Sequence, residues 1–258
     1  MHTPYAPHPD VAPERGGPSG GQPVREPAKQ VADTGPLANP VRAALTGPHA
    51  HFAETRGRAL RYPPEVAGWA ALPDDPEPAD WADLAALVGP GGEATFAGLE
   101  GTLPEGWESV FRIDGVQLLG ETVRGEPDEE AVELGPADVP EMLDLVARTR
   151  PGPFLPRTVE LGTYLGIRRE GVLVAMAGER LRPAGWTEIS AVCTDPAYRG
   201  QGLAARLVLA VSAGVRERGE IPLLHTGADN AGAIRVYERL GFTLSRKPSF
   251  RGVRAPGA

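Results

Sequence analysis

The stretch Thr194-Asp195-Pro196-Ala197-Tyr198-Arg199-Gly200-Gln201-Gly202-Leu203-Ala204 indicates the fold of this chain more clearly than any other. A strand-like apolar run, residues 189–193, enters it, and a long amphipathic helix follows. Glycine permits positive φ and close backbone approach, and a helix start offers unpaired N–H groups at the positive end of its dipole. The sequence therefore predicts a loop that binds a phosphate-bearing cofactor.

Two other phosphate-binding motifs fit this loop less well. The NTPase loop requires Gly-x-x-x-x-Gly-Lys-Ser/Thr, and the two lysines of the chain, Lys29 and Lys247, lie elsewhere. The dinucleotide fingerprint tolerates the alanine that ends Gly200-Gln201-Gly202-Leu203-Ala204-Ala205, but it opens a βαβ unit near the start of a domain. Here the loop lies in the last quarter of the chain. A dinucleotide-dependent oxidoreductase is therefore the weaker interpretation.

The spacing Arg199-x-x-Gly202-x-Ala204 resembles the acyl-CoA-binding motif of the GCN5-related N-acetyltransferases, Arg/Gln-x-x-Gly-x-Gly/Ala. Downstream, Asn230-x-x-Ala233-x-x-x-Tyr237-x-x-x-Gly241-Phe242 is similar to the C-terminal helix pattern of that family. Residues 186–194 resemble its fourth strand, and the resemblance covers about residues 130–250. The sequence from His225 to Phe242 looks most like the FR47-like branch of the family.

The resemblance implies an α/β (mixed α+β) fold, in which a twisted mixed sheet is flanked by helices. It implies an N-acetyltransferase that moves an acetyl group from acetyl-CoA to an amine by direct attack in a ternary complex. The acceptor is a small-molecule or peptide amine, and its specificity is expected in about residues 149–160. A non-catalytic acyl-CoA-binding or regulatory module is the alternative, and an intact Tyr237 and Glu188 argue against it.

The cofactor contacts carry over from the family to the loop and the fourth strand. The resemblance implies that the loop wraps the pyrophosphate of CoA through Arg199, Gly200, Gln201, Gly202, Leu203 and Ala204. It also implies that Val192, Cys193 and Thr194 supply backbone groups to the pantetheine, with the Val192 N–H stabilising the oxyanion. Cys193 is expected to be a buried and inert thiol, because no His or Lys in its strand activates it.

Tyr237 is the predicted general acid. A phenol with a pKa of about 10 is comparable to an alkyl thiol and can protonate the departing CoA thiolate. Tyr237 lies two helical turns after Asn230 and on the same face, so both side chains can point towards the cofactor. Asn230 is also a preferred helix N-cap residue, which is compatible with a cofactor contact. The other interpretation of Tyr237 is a tyrosine packed in the core.

Glu188 is the candidate general base, since many members of the family keep a carboxylate on the fourth strand. An ammonium has no lone pair, and a half-buried glutamate with a raised pKa could accept its proton. Glu160 and Glu179 are rival candidates, and a solvent-facing strand glutamate is the remaining interpretation of Glu188.

Composition limits the other classes of function. The 258 residues carry a net charge of −8, which favours a cationic acceptor slightly. The sequence has no basic tract of the kind that binds nucleic acid. The single cysteine excludes an internal disulfide and is typical of a reducing cytoplasm, and the histidines show no metal signature. The sequence contains no run of about 18 apolar residues, so it predicts no membrane span. Oligomeric state is not encoded in any recognisable pattern.

Proline, glycine and charge divide the chain into three predicted parts. Residues 1–38 are read as a disordered Pro/Gly-rich tail. Residues 39–125 are read as a small α+β domain of unknown role, with strands at 107–111 and 116–119; a degenerate copy of the same fold is a further possibility for it. Residues 129–252 are read as the acetyltransferase domain, with a hairpin turning at 169–171, a helix starting at Leu203 and a closing strand at 242–244.

Overall fold

The computed structural model describes residues 35–257, which contain five α-helices and twelve strands. The helices are α1 (Pro40–Leu45), α2 (Pro78–Val88), α3 (Val139–Thr149), α4 (Leu203–Glu217) and α5 (Ala231–Arg239). The first strands are β1 (Glu54–Arg56), β2 (Ala59–Arg61), β3 (Ala70–Ala71), β4 (Glu93–Ala97), β5 (Glu108–Leu119) and β6 (Val132–Leu134). The others are β7 (Tyr164–Arg169), β8 (Val172–Glu179), β9 (Trp186–Thr194), β10 (Ile221–Gly227), β11 (Thr243–Arg246) and β12 (Ser249–Arg254).

The strands form two sheets. Strands β1, β2 and β3 make a small antiparallel sheet. The other nine strands form one sheet in the order β4-β12-β5-β10-β9-β8-β7-β6, with β11 paired to β5. Its neighbours are antiparallel except β9 and β10, which are parallel. The predicted α/β (mixed α+β) architecture is therefore confirmed.

Helices α3 and α4 cover opposite faces of the large sheet. On β8, Ala175 and Ala177 belong to the apolar cluster that includes α4, whereas Met176 between them packs with α3. This alternation is the two-residue period of a strand that is buried on both faces. The predicted hairpin is also confirmed: Glu170 and Gly171 join β7 to β8 with φ values of 51° and 83°, as a tight two-residue turn requires.

Two expectations for the sheet are wrong. The separate strands predicted at 107–111 and 116–119 are one continuous strand, β5, and β12 follows the predicted closing strand. The two differences are connected, because β12 pairs with the first part of β5, from Glu108 to Asp114, and this pairing keeps β5 extended there. Strand pairing of this kind joins distant residues and leaves no local pattern in the sequence.

The large sheet crosses the predicted domain boundary. Strand β5 lies before that boundary and pairs with β10, which lies after it. The division of the chain into one domain at 39–125 and another at 129–252 therefore stays a prediction. Residues 1–34 of the predicted tail lie outside the described residues, whereas Leu37 is already buried and its carbonyl accepts a hydrogen bond from Gln117. No helix within residues 35–257 is long and apolar enough to cross a membrane.

The segment 120–131, which contains the predicted boundary, packs against α4 and is held there by a hydrogen bond and an ion pair. Arg216 of the helix donates to the carbonyl of Val123, and Arg206 pairs with Asp128. Gly125 has φ +81°, and a Cβ at this position would overlap the backbone of Ala213 in α4. A glycine is therefore required both by the backbone conformation and by the closeness of the two chain segments.

Replacing Gly125 by alanine tests this close packing. Gly171→Ala is the matched control, because its φ is +83° and its Cβ would meet nothing within 4 Å. We expect Gly171→Ala to lower the free energy of unfolding by about 1 kcal/mol through backbone strain alone. Gly125→Ala should cost about 2 kcal/mol more, since it adds overpacking. Urea denaturation measures both, and equal losses would contradict the packing of 120–131 on α4.

Candidate active site

The site lies where two parallel strands separate. Strands β9 and β10 pair over Trp186–Ile189 and Ile221–Leu224, and no pairing continues beyond Leu224. Ala191 has a positive φ of 52°, and the register between β8 and β9 shifts next to it, so β9 carries a bulge at this point. A cavity of about 880 Å³ opens between the separated ends. Pro222, which lacks a donor, is accommodated within the short paired stretch.

The separated end of β9 forms one side of the cavity. Val192, Cys193 and Thr194 all line it. The Oγ1 atom of Thr194 is buried without a hydrogen-bond partner among the described residues. Burial raises the pKa of the Cys193 thiol to about 11, so the thiol stays protonated and is a poor nucleophile. These features fit a strand that offers polar groups to a ligand without reacting covalently with it.

The glycine-rich loop forms the next side of the cavity. Gly200 and Gly202 have φ values of 80° and 75°, and Gly202 is the N-cap of α4, without a side-chain hydrogen bond to the first turn. The first N–H groups of α4 therefore remain open to an anion. Arg199, Gly200, Gly202, Leu203 and Ala204 line the cavity, whereas Gln201 is exposed outside it.

Helix α5, which follows β10, forms a further side of the cavity. Asn230 caps the helix, because its Oδ1 accepts from the N–H of Ala233 at 3.1 Å, and it also lines the cavity. Tyr237 lies two turns later, lines the same cavity and is only 7% exposed. Burial, followed by the nearby Cys193, raises the pKa of Tyr237 to about 12. Its hydroxyl therefore keeps its proton at neutral pH.

Glu188 lies in a buried ionic network rather than on the cavity surface. Its carboxylate is fully buried and accepts two hydrogen bonds from Arg180, at 2.9 and 2.6 Å. The Nδ1 of His225 lies 2.7 Å from the same carboxylate. The Nε2 of His225 lies 3.0 Å from the amide nitrogen of Gln117, which fixes Nε2 as the acceptor and Nδ1–H as the donor.

The raised pKa expected for Glu188 is wrong. Burial alone would raise the pKa of Glu188, but the charge of Arg180 and the contact with His225 lower it well below its usual range. An ionised carboxylate held in this way is a weak proton acceptor. The rival glutamates are also paired, Glu160 with Arg157 at the surface and Glu179 with Arg218, and neither of them lines the cavity.

Sequence reasoning missed one side of the cavity. Trp69, Thr95, Phe111 and Ile113 come from the first half of the chain, and Phe250 comes from β12. The rings of Trp69 and Phe250 lie 6.0 Å apart, and Phe250 also contacts His225. The stretch 149–153 lines the cavity as well, within the region where acceptor specificity was expected. No motif marks the aromatic residues, because they reach the site through sheet pairing.

Within residues 35–257, no group of three or more His, Cys, Asp or Glu side chains is arranged to hold a metal ion.

Comparisons with known proteins agree with the fold. The family model described as "FR47-like protein" matches residues 164–250. A solved structure assigned to the GNAT family, from Novosphingobium aromaticivorans DSM 12444, is 38% identical with a TM-score of 0.79, over 87% of this chain and 100% of that chain. A GCN5-related N-acetyltransferase from Kribbella flavida shares the fold at 22% identity and a TM-score of 0.57, over 88% of this chain and 98% of its own. No match was found among curated proteins.

The buried ion pair gives a stability prediction for Glu188→Gln. The variant leaves the Arg180 charge buried without its partner, so we expect the free energy of unfolding at pH 7 to fall by about 3–5 kcal/mol. Because the folded pKa of Glu188 is lowered, its contribution is complete above the unfolded pKa of about 4.3 and decreases as the pH falls below it. Wild type and variant should therefore become more similar in acid.

Chemical denaturation between pH 7 and pH 3 measures this difference. The double variant Arg180→Met/Glu188→Met is the control, since it removes both charges and should lose less stability than Glu188→Gln. A wild-type advantage that stayed constant down to pH 3 would contradict an ionised and paired Glu188.

Proposed function

Because the chain belongs to the GCN5-related N-acetyltransferase (GNAT) family, we propose that it transfers an acetyl group from acetyl-CoA to an amine by direct attack in a ternary complex. The observation that carries the proposal is a single cavity bounded by the uncapped start of α4 and by Tyr237. An anion-binding helix start and a buried proton donor are two parts of what this reaction needs. The amine would attack as its free base, and the proton that its nitrogen loses on forming the amide would replace the one that Tyr237 gives to the thiolate. A cytoplasmic location, in line with the single cysteine, belongs to the same proposal.

The described residues fit CoA. Gly200, Gly202 and the first turn of α4 would hold the pyrophosphate, because their backbone N–H groups face an anion without competition from a capping side chain. Arg199 and Arg239 line the same cavity and would add positive charge. The unpaired Thr194 Oγ1 offers a hydrogen bond to a polar group lying along β9. CoA supplies the acetyl thioester, and the protein supplies its placement.

Two groups of the chain would act on the reacting atoms. The backbone N–H of Val192, next to the bulge at Ala191, would donate to the oxygen on which negative charge develops. Tyr237 would donate its proton to the leaving thiolate, since its hydroxyl is protonated at neutral pH and borders the cavity. For Glu188 we propose a positioning role, in which it holds Arg180 and His225 in place.

A negatively charged side chain in the loop should strongly weaken CoA binding. We expect Gly202→Glu to weaken the affinity for acetyl-CoA by about 100-fold or more, because a carboxylate would lie at the anion site. Gly219→Glu is the matched control: both glycines have φ +75°, and in both cases an added Cβ would meet nothing within 4 Å. Gly219 follows the opposite end of α4. Calorimetric titration measures both variants, and wild-type affinity in Gly202→Glu would contradict the loop assignment.

Removing the proposed acid should slow turnover without affecting binding. We expect Tyr237→Phe to lower kcat about 100-fold, within the range of general acid catalysis, with nearly unchanged affinity for acetyl-CoA. Tyr164→Phe is the control, since Tyr164 is equally buried, its hydroxyl has no partner in the described chain, and it does not line the cavity. Release of free CoA with an amine panel measures both. Equal turnover in Tyr237→Phe and wild type would disprove the acid role.

A further inference from the structure

The cavity has a second end that the proposed CoA contacts leave free. The glycine-rich loop follows Thr194, whereas Arg180 and Ile189 border the cavity at the paired part of β9. Thr194 lies five positions after Ile189, which corresponds to at most about 16 Å along the strand. We call the second end the acceptor end, and it is lined by Trp69, Thr95, Phe111, Ile113, Arg180, His225 and Phe250.

Three aromatic side chains, Trp69, Phe111 and Phe250, form what we call the aromatic wall of this end. Phe111 lies against Gly252 on the neighbouring strand, and Phe250 lies against Gly115, so that a Cβ at either glycine would overlap a ring. Aromatic rings placed over strand glycines are held by the backbone itself. The wall is therefore a fixed apolar surface, and two of its three rings come from residues 39–125.

The charges that line the cavity are all positive. Arg150, Arg180, Arg199 and Arg239 border it, and no Asp or Glu of the described chain does. The net charge of −8 thus does not extend into the site, and the cationic acceptor that it slightly favoured has no carboxylate here to bind it. A polyamine or another polycation would have to leave water with no compensating charge.

Within the described chain, Arg180 is the only Arg, Lys, Asp or Glu that borders the acceptor end. Its Nε and Nη2 atoms hold Glu188, and its guanidinium carbon lies 5.1 Å from the centre of the Trp69 ring. No hydrogen bond within residues 35–257 uses its Nη1 atom, and the side chain, which is 11% exposed, borders the cavity. A guanidinium has a second edge, Nη1 with Nη2, that can take another carboxylate through two parallel hydrogen bonds.

We propose that the acceptor is an amine that also carries a carboxylate and an apolar body, such as an apolar amino acid. The free edge of Arg180 binds the carboxylate, Glu188 fixes the orientation of that edge, and the aromatic wall contacts the apolar body. Residues 39–125 thereby form part of the acceptor pocket. This inference rests on the proposed function, because it assigns the substrate class of the same cavity.

The test compares acceptors that differ only at the carboxylate. One pair is L-phenylalanine and L-phenylalaninamide; the other is 4-(aminomethyl)benzoate and benzylamine, in which amine and carboxylate lie further apart. We expect the carboxylate of at least one pair to raise kcat/KM about tenfold or more, the size of a charge-assisted bidentate contact. The same compound should bind more tightly to the CoA-loaded protein, measured by calorimetry. Putrescine should be a poor acceptor.

The variant Arg180→Met/Glu188→Met should remove this preference while the affinity for acetyl-CoA stays the same. Equal use of both members in both pairs, or a preference that persists in a folded double variant, would overturn the inference and leave acetyl transfer intact. Tighter binding of the carboxylates without any CoA release would instead support the pocket and contradict the proposed transfer. If the carboxylates neither bind more tightly nor lead to CoA release, the result would contradict the inference and the proposed function together.

Discussion

Strands β9 and β10 pair for four residues and then separate, and the arrangement of the site depends on this separation. A sheet leaves no room for a ligand between paired strands, which lie about 4.8 Å apart. The left-handed backbone at Ala191 bulges β9 away from the regular ladder, and β10 pairs onwards with β5 instead. One irregular residue thus opens the cavity and exposes backbone groups of β9 to it, while α4 and α5 provide its two polar borders.

The buried network at the acceptor end combines two opposing effects. Desolvation disfavours the charges of both Arg180 and Glu188, and their mutual attraction, with hydrogen bonds from His225 and Arg180, outweighs it for the carboxylate. Such a pair adds little net stability, but it fixes side-chain orientation because neither partner can move without leaving a buried charge. The acceptor contact proposed above uses the edge of Arg180 that this pair leaves open.

Local patterns predicted the local parts of the structure. The glycine-rich loop, the amphipathic repeat of α4, the Asn230 cap and the position of Tyr237 each depend on residues within two or three turns of one another. Strand β12, the continuity of β5 and the aromatic wall depend on pairing between residues more than one hundred positions apart, which no local periodicity records. The expected direction of the Glu188 pKa shift is wrong for a related reason: the strand pattern predicts a half-buried glutamate, but nothing local in the sequence identifies its partner Arg180.

The sheet also bears on what the first half of the chain does. Val116 and Leu118 of β5 belong to the same buried cluster as Leu207 of α4 and Tyr237 of α5. The first half has a buried cluster of its own around Trp81 and Leu84, but β5 also supplies core residues beneath the predicted catalytic helix, and Phe111 of the same strand lines the cavity. A change in residues 108–119 therefore acts on the acceptor end and on the packing of Tyr237 together. Because of this shared core, we interpret the first half as part of the substrate-binding structure rather than as an appended partner-binding unit.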